Sequence, residues 1–221
     1  MTNTKLTHPL YRASLPYQHA FDFIAAHTAS SPLLIATHPL YVNEIGKRLH
    51  HLSLSVLVDG DWTTERISDV EYTPHIVERI PDNAVDTLIW AEPDATTIVE
   101  VGPQVLQHTR GCRHLLIMTS NWLARPLPEW RQDRLCHEPL GTRWAARWLK
   151  RNGYSLQASY GFNAARAIMW GRLHLLANRI GNDAASDRAL AKMRQTYTQA
   201  GKMRHLSSVT VYLATCTEQR P

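Results

Sequence analysis

Three places in the chain set a chemically capable side chain at the end of an apolar run. Thr37 and His38 follow Pro32-Leu33-Leu34-Ile35-Ala36. Asp59 and Asp61 follow Leu54-Ser55-Val56-Leu57-Val58, and Trp90, Glu92 and Asp94 lie at or just past the run from Val85 to Ala91. If each run is a central strand, each group stands at a carboxyl end, the edge where open α/β sheets bind their ligands. There His38 can take a proton from an acceptor hydroxyl. The aspartates can accept hydrogen bonds, and Trp90 can stack on a bound cation. Plainer readings stand beside these: Asp59-Gly60 is a common turn dipeptide, and a tryptophan in an apolar run packs in a core. His50-His51 and His137-Glu138 have no partners at metal-ligand spacing, so no metal site is expected.

The elements that must position these groups alternate between strand-like and helix-like. Leu15 to His27 reads as a first helix, and Pro32 to Thr37 as a short, wholly apolar strand of the kind buried on both faces. Pro39 suits the first turn of a helix running to about His51. Leu54 to Asp59, Val85 to Ala91 and His114 to Thr119 are further strands. A helix over 96–109 is weakened by Gly102-Pro103. Asp61 to Ile80 is too short for a full helix plus a full strand, so Ile67 to Val77 is expected to be a strand alone. Thr142 to Asn152 is an amphipathic helix closed by Gly153, and Tyr154 to Tyr160 a strand. Asn163 can cap a helix to about Ile180, stopped by Gly181-Asn182. Asp183 or Ser186 opens another to Ala200, and Ser208 to Thr215 reads as the last strand. The alternation predicts an α/β sheet with helices on both faces.

The chain has 221 residues, 44% of them hydrophobic, enough for a full-size core. Three dispersed cysteines predict reduced thiols in a cytoplasmic compartment. No run approaches 18 uncharged apolar residues, so no transmembrane segment is expected. The net charge of +5 hides an asymmetry: residues 1–100 carry 6 basic against 13 acidic residues, and 101–221 carry 18 against 6. Either the halves neutralise each other, or a basic face meets an anionic partner, nucleic acid or lipid. Trp144 and Trp148 lie one turn apart, beside Arg143, Arg147 and Arg151. The helix from Ala164 to Ile180 is apolar over much of its circumference and also carries Arg166, Arg172 and Arg179. It can pack on the sheet, cover a hydrophobic acceptor, rest on anionic lipid or form a dimer surface.

One run, Ile80-Pro81-Asp82-Asn83-Ala84-Val85-Asp86-Thr87-Leu88-Ile89-Trp90, resembles the approach to the fourth strand of small-molecule class I S-adenosylmethionine-dependent methyltransferases. Trp144 to Phe162 resembles that family's late helix and strand, and Ser208 to Ala214 its closing antiparallel strand. The resemblance implies a Rossmann-like, seven-stranded methyltransferase fold, mostly parallel, in a single domain over 1–221 with a helical insert at 163–205 before the last strand. It implies S-adenosylmethionine as cofactor, with Thr37 and His38 beside its methionine portion. Asp59, or Asp61, would take the ribose hydroxyls, and Trp90 would stand near the methyl-transfer site. The acceptor it implies is small and apolar, with His38 as a weak catalytic candidate. The family's glycine-rich loop after the first strand is replaced here by Ile35 to Val42, which has no glycine. Pro39 and Tyr41 are expected to protrude where the cofactor lies. Two classes of function follow: a methyltransferase, or a catalytically inactive relative of that fold kept as a binding or assembly subunit, with a homodimer among its possible forms.

Overall fold

The computed structural model describes residues 15–36, 39–58, 74–81, 85–93, 95–108, 113–120, 142–198 and 207–216. Seven strands form one sheet: β1 (Pro32–Ala36), β2 (Ser55–Val58), β3 (His75–Val77), β4 (Thr87–Ala91), β5 (His114–Ser120), β6 (Tyr154–Asn163) and β7 (Ser207–Cys216), in the order β3-β2-β1-β4-β5-β7-β6. The first five pair in parallel, while β7 runs antiparallel to both β5 and β6. Among the described residues seven helices accompany them: α1 (Leu15–Ala26), α2 (Pro39–Arg48), α3 (Ala95–Glu100), α4 (Gly102–His108), α5 (Thr142–Arg151), α6 (Ala164–Arg179) and α7 (Asp183–Thr198).

Strand periodicity divides the core in two. Leu34, Ala36, Ile89, Ala91, Leu116 and Met118 face α1 and α2, packing on Phe21, Ile24, Val42 and Ile45. Leu33, Ile35, Leu88, Trp90, Leu115 and Ile117 face the other way, toward Val105, Ala145 and Leu149. Every residue of β1 and β4 is buried. That explains their unbroken apolar sequences: a parallel strand covered on both sides has no solvent face to signal by alternation.

The helices are locked to the sheet and to each other by specific contacts. Arg48 at the end of α2 donates to Asp22 of α1 at 2.7 Å, to Gln18 at 2.5 Å and to Glu44 at 3.3 Å, and lies over the Phe21 ring. On the opposite face Trp148 meets Trp90 edge-on at 5.7 Å, stacks on Tyr154 at 5.8 Å and lies 6.0 Å from Trp144. The two tryptophans placed one turn apart by the sequence are therefore the clamp that holds α5 on the sheet. At the amino edge, Asp86 accepts from Ser30 Oγ at 2.5 Å, and its carbonyl accepts from the Arg113 and His114 amides. This aspartate of the family-like run thus ties the starts of β1, β4 and β5 together.

Several boundaries differ from the sequence expectation, each for a local reason. The single helix over 96–109 is two helices broken at Val101, because Pro103 has no amide hydrogen to donate back along the turn. β6 continues to Asn163, and α6 starts immediately after it. The cap of α7 is Asn182, whose Oδ1 accepts from the Ala185 amide at 3.0 Å, and not Asp183 or Ser186. Gly153 and Gly181 adopt φ of 76° and 68°, as expected of helix-terminating glycines. Of the strand expected over Ile67 to Val77, residues 74–77 fall within the described residues, and His75–Val77 form the strand.

Two stability predictions follow. Trp148→Ala removes the clamp and is expected to cost about 3 kcal/mol, read as a lowered denaturation midpoint. Burial, with the Asp22 carboxylate adding to it, pushes the Tyr160 phenol well above its ordinary value of 10.0, and its hydroxyl has no hydrogen-bond partner among the described residues. A raised folded-state value favours the neutral form. Its stabilisation is therefore complete below the unfolded value and is lost as pH rises past it. Tyr160→Phe is expected to leave stability at neutral pH equal or higher and to flatten the alkaline loss in denaturation measured from pH 7 upward.

Candidate functional site

At the carboxyl end of β4 the chain does something unusual for a residue bearing a side chain. Glu92 has φ of 50°, the one positive value among described non-glycine residues. It is only 3% exposed. Continuing the strand's pleat would send residue 92 to the Trp90 face. The left-handed backbone ends the strand, and the side chain lies with α1 and α2 instead. Its amide still donates to the Met118 carbonyl at 2.8 Å, so the turn stays tied to β5. Such a conformation costs on the order of 1–3 kcal/mol and persists only where surrounding contacts enforce it.

Those contacts come from two tyrosines. Tyr17 of α1 donates its hydroxyl to Glu92 Oε1 at 3.0 Å, and Tyr41, in the first turn of α2, donates to Oε2. Each carboxyl oxygen is thus met by a hydroxyl, so neither is left stranded away from water. Phe21 separates the two tyrosine rings, 6.1 Å from Tyr17 and 6.3 Å from Tyr41. Three elements far apart in sequence thus converge on one acid. Ala36 pairs with Ala91 across β1 and β4, so Glu92 stands beside the point where the chain leaves β1. This is the crevice edge that open α/β sheets use for ligands.

Of the residues singled out from sequence, Thr37, His38, Asp59, Asp61 and Asp94 lie outside the described residues. Trp90 lies within them. Its ring is fully buried on the face covered by α4 and α5, against Trp148, with Gly102 close by. Tyr41, the bulky residue singled out after β1, is buried with its hydroxyl on Glu92. The sequence signal for Glu92 was its place directly after a buried strand. Tyr17 gave no signal, since nothing in an apolar first helix reveals that one hydroxyl will meet an acid 75 residues away.

No protein-family model matches the chain, and no curated protein matches it. Solved structures do. A glycopeptide N-methyltransferase, MtfA, complexed with (S)-adenosyl-L-methionine, is similar over 90% of this chain and 87% of its own, at 10% identity and a TM-score of 0.50. Geranyl diphosphate methyltransferase in complex with the same compound is similar over 90% and 85%, at 10% identity and a TM-score of 0.50. An uncharacterized protein from Listeria monocytogenes serotype 4b is similar over 91% and 69%, at 8% identity and a TM-score of 0.50. Taken with the strand order and the antiparallel β7, these likenesses define the architecture. The chain has the class I S-adenosylmethionine-dependent methyltransferase fold.

The tyrosine–glutamate cluster makes its own prediction. Tyr41→Phe strips one donor from a buried carboxylate and is expected to lower stability by about 2 kcal/mol in urea unfolding. An unchanged midpoint would show that the carboxylate finds another donor at no cost.

Proposed function

We propose that the chain transfers a methyl group from S-adenosylmethionine to a small, apolar acceptor, with residues 1–221 acting as a single methyltransferase-like domain. The observation that carries this reading is Glu92, a buried acid held on strained backbone at the crevice edge of this fold. Enclosing a carboxylate is costly, and apolar packing of β4 does not require one.

The sulfonium of the cofactor is already an activated methyl donor. The chain's task is therefore binding and alignment. In the family this chain resembles, an acid at the end of the first strand meets the cofactor's amino group; here that position holds Ala36 or Thr37. We assign the role to Glu92, which enters the same end of the crevice from the neighbouring strand. Tyr17 and Tyr41 fix its carboxylate and shield it from water. Asp59, with Asp61 behind it, accepts from the ribose hydroxyls. Thr37 and His38 border the methionine portion, and His38 takes the proton when the acceptor is a hydroxyl. Trp90 backs the end of β4 from the opposite face. The α6–α7 insert, which packs against α1 and β6, covers the acceptor.

One observation favours a second reading. Tyr41 is fully buried against Glu92 at the end of β4, and no glycine lies between Ile35 and Val42. A closed crevice would make the chain a catalytically inactive binding or assembly subunit on an inherited fold.

Calorimetric titration with S-adenosylmethionine separates the two. The first reading expects measurable binding, weakened by about 1.5–3 kcal/mol in Glu92→Gln, which keeps shape but loses charge. Asp59→Ala is expected to cost about 1–3 kcal/mol of affinity. Absence of binding by the folded wild-type chain would overturn the first reading, and equal affinity of Glu92→Gln would remove the acid from the site.

A further inference from the structure

The outer face of the helical insert carries a feature that the crevice does not use. α6 is held to α7 along one side. Lys192 Nζ lies 5.6 Å from the Trp170 ring centroid. Ser186 Oγ lies 2.8 Å from His174 Nδ1 and donates to Asn178 Oδ1 at 2.5 Å. Gly171 leaves room for the Met193 sulfur. These residues lie on one side of the helix. The opposite side presents Met169, Leu173, Leu176 and Ile180 at 46%, 43%, 56% and 68% exposure, and Leu175, at 62%, lies across the Arg172 and Arg179 row from them. Their 4-3-4 spacing forms a continuous stripe along the helix.

A water-facing helix has no reason to expose four large apolar side chains in one strip. The charges around the strip indicate what covers it. Arg172 and Arg179 are exposed along its flank. The sequence from Asn163 to Asn182 holds three arginines and no acidic residue. A second copy packed by a two-fold axis would set this arginine flank against itself, with no acid of the helix to neutralise it. An anionic lipid surface satisfies both features together, taking the leucines at the acyl boundary while the guanidinium groups stay among the headgroups. No described helix is long and apolar enough to cross a membrane, and α6, at 16 residues, is suited to lying in the interfacial plane. We propose that α6 docks the protein peripherally on an anionic membrane surface through Met169, Leu173, Leu176 and Ile180, with Arg172 and Arg179 as its electrostatic contacts.

Co-sedimentation of the full chain with vesicles of phosphatidylcholine alone, and with vesicles of equal parts phosphatidylcholine and phosphatidylglycerol, tests this. Retention is expected on the anionic vesicles only and falls as salt is raised. Arg172→Gln with Arg179→Gln is expected to weaken partition about 30-fold. Leu176→Asp with Ile180→Asp is expected to weaken it at least about tenfold. All four positions are exposed, so circular dichroism and melting temperature should be unchanged in both variants. Equal retention on neutral vesicles, no retention on either, or undiminished retention of the variants overturns the proposal. So does a dimer in light scattering that Leu176→Asp dissociates, which would make a second copy the occupant.

Discussion

A carboxylate removed from water has to be met by donors, and here that requirement joins three segments of the fold. Glu92 ends the central strand β4, and its two oxygens are met by hydroxyls from α1 and α2. Neither helix could shift or rotate without stranding a buried acid, an outcome dearer than the loss of an ordinary hydrogen bond. The same contact fixes the geometry of the crevice edge. Arg48 reinforces it from the far end of α2 by gripping α1 through Asp22 and Gln18. The pair of helices on this face therefore behaves as one unit, anchored at the sheet by the acid and at its outer end by the arginine.

The opposite face is held differently. No ion pair is described there; Trp90, Trp144, Trp148 and Tyr154 contact one another through their rings. The Trp90 indole nitrogen is buried without a partner among the described residues, a cost that the burial of such large rings outweighs. One face thus has polar bonds at the crevice, and the other an apolar clamp behind it. The sheet's central strands are pressed between a directional contact and a non-directional one.

Much of this architecture was legible in the sequence, for identifiable reasons. β1, β4 and β5 are short apolar runs bounded by turn residues, and Gly153 and Gly181 mark helix ends that only φ above zero allows. The break between α3 and α4 was visible as a weakness at Gly102-Pro103, though not as two separate helices. The insert was visible as two long periodic stretches before the closing strand. The site was legible only as a list of strand ends. Which acid turns inward depends on the backbone at residue 92, which no propensity dictates for a glutamate. Its partners come from helices 75 and 51 residues away. Local pattern carries the elements, while long-range hydrogen bonding carries the crevice.

The position of β7 has a consequence for how such a molecule assembles. It follows β6 in the chain by two helices, yet it occupies the slot between β5 and β6. Until it inserts, β6 has no neighbour in the sheet, and the flank of β5 presents an open row of backbone amides and carbonyls. A newly made chain must therefore keep that gap from accepting a foreign strand while the α6–α7 hairpin forms. Closure of the sheet is a late, long-range event, and the segment that completes it is also the one that brings the outermost strand home.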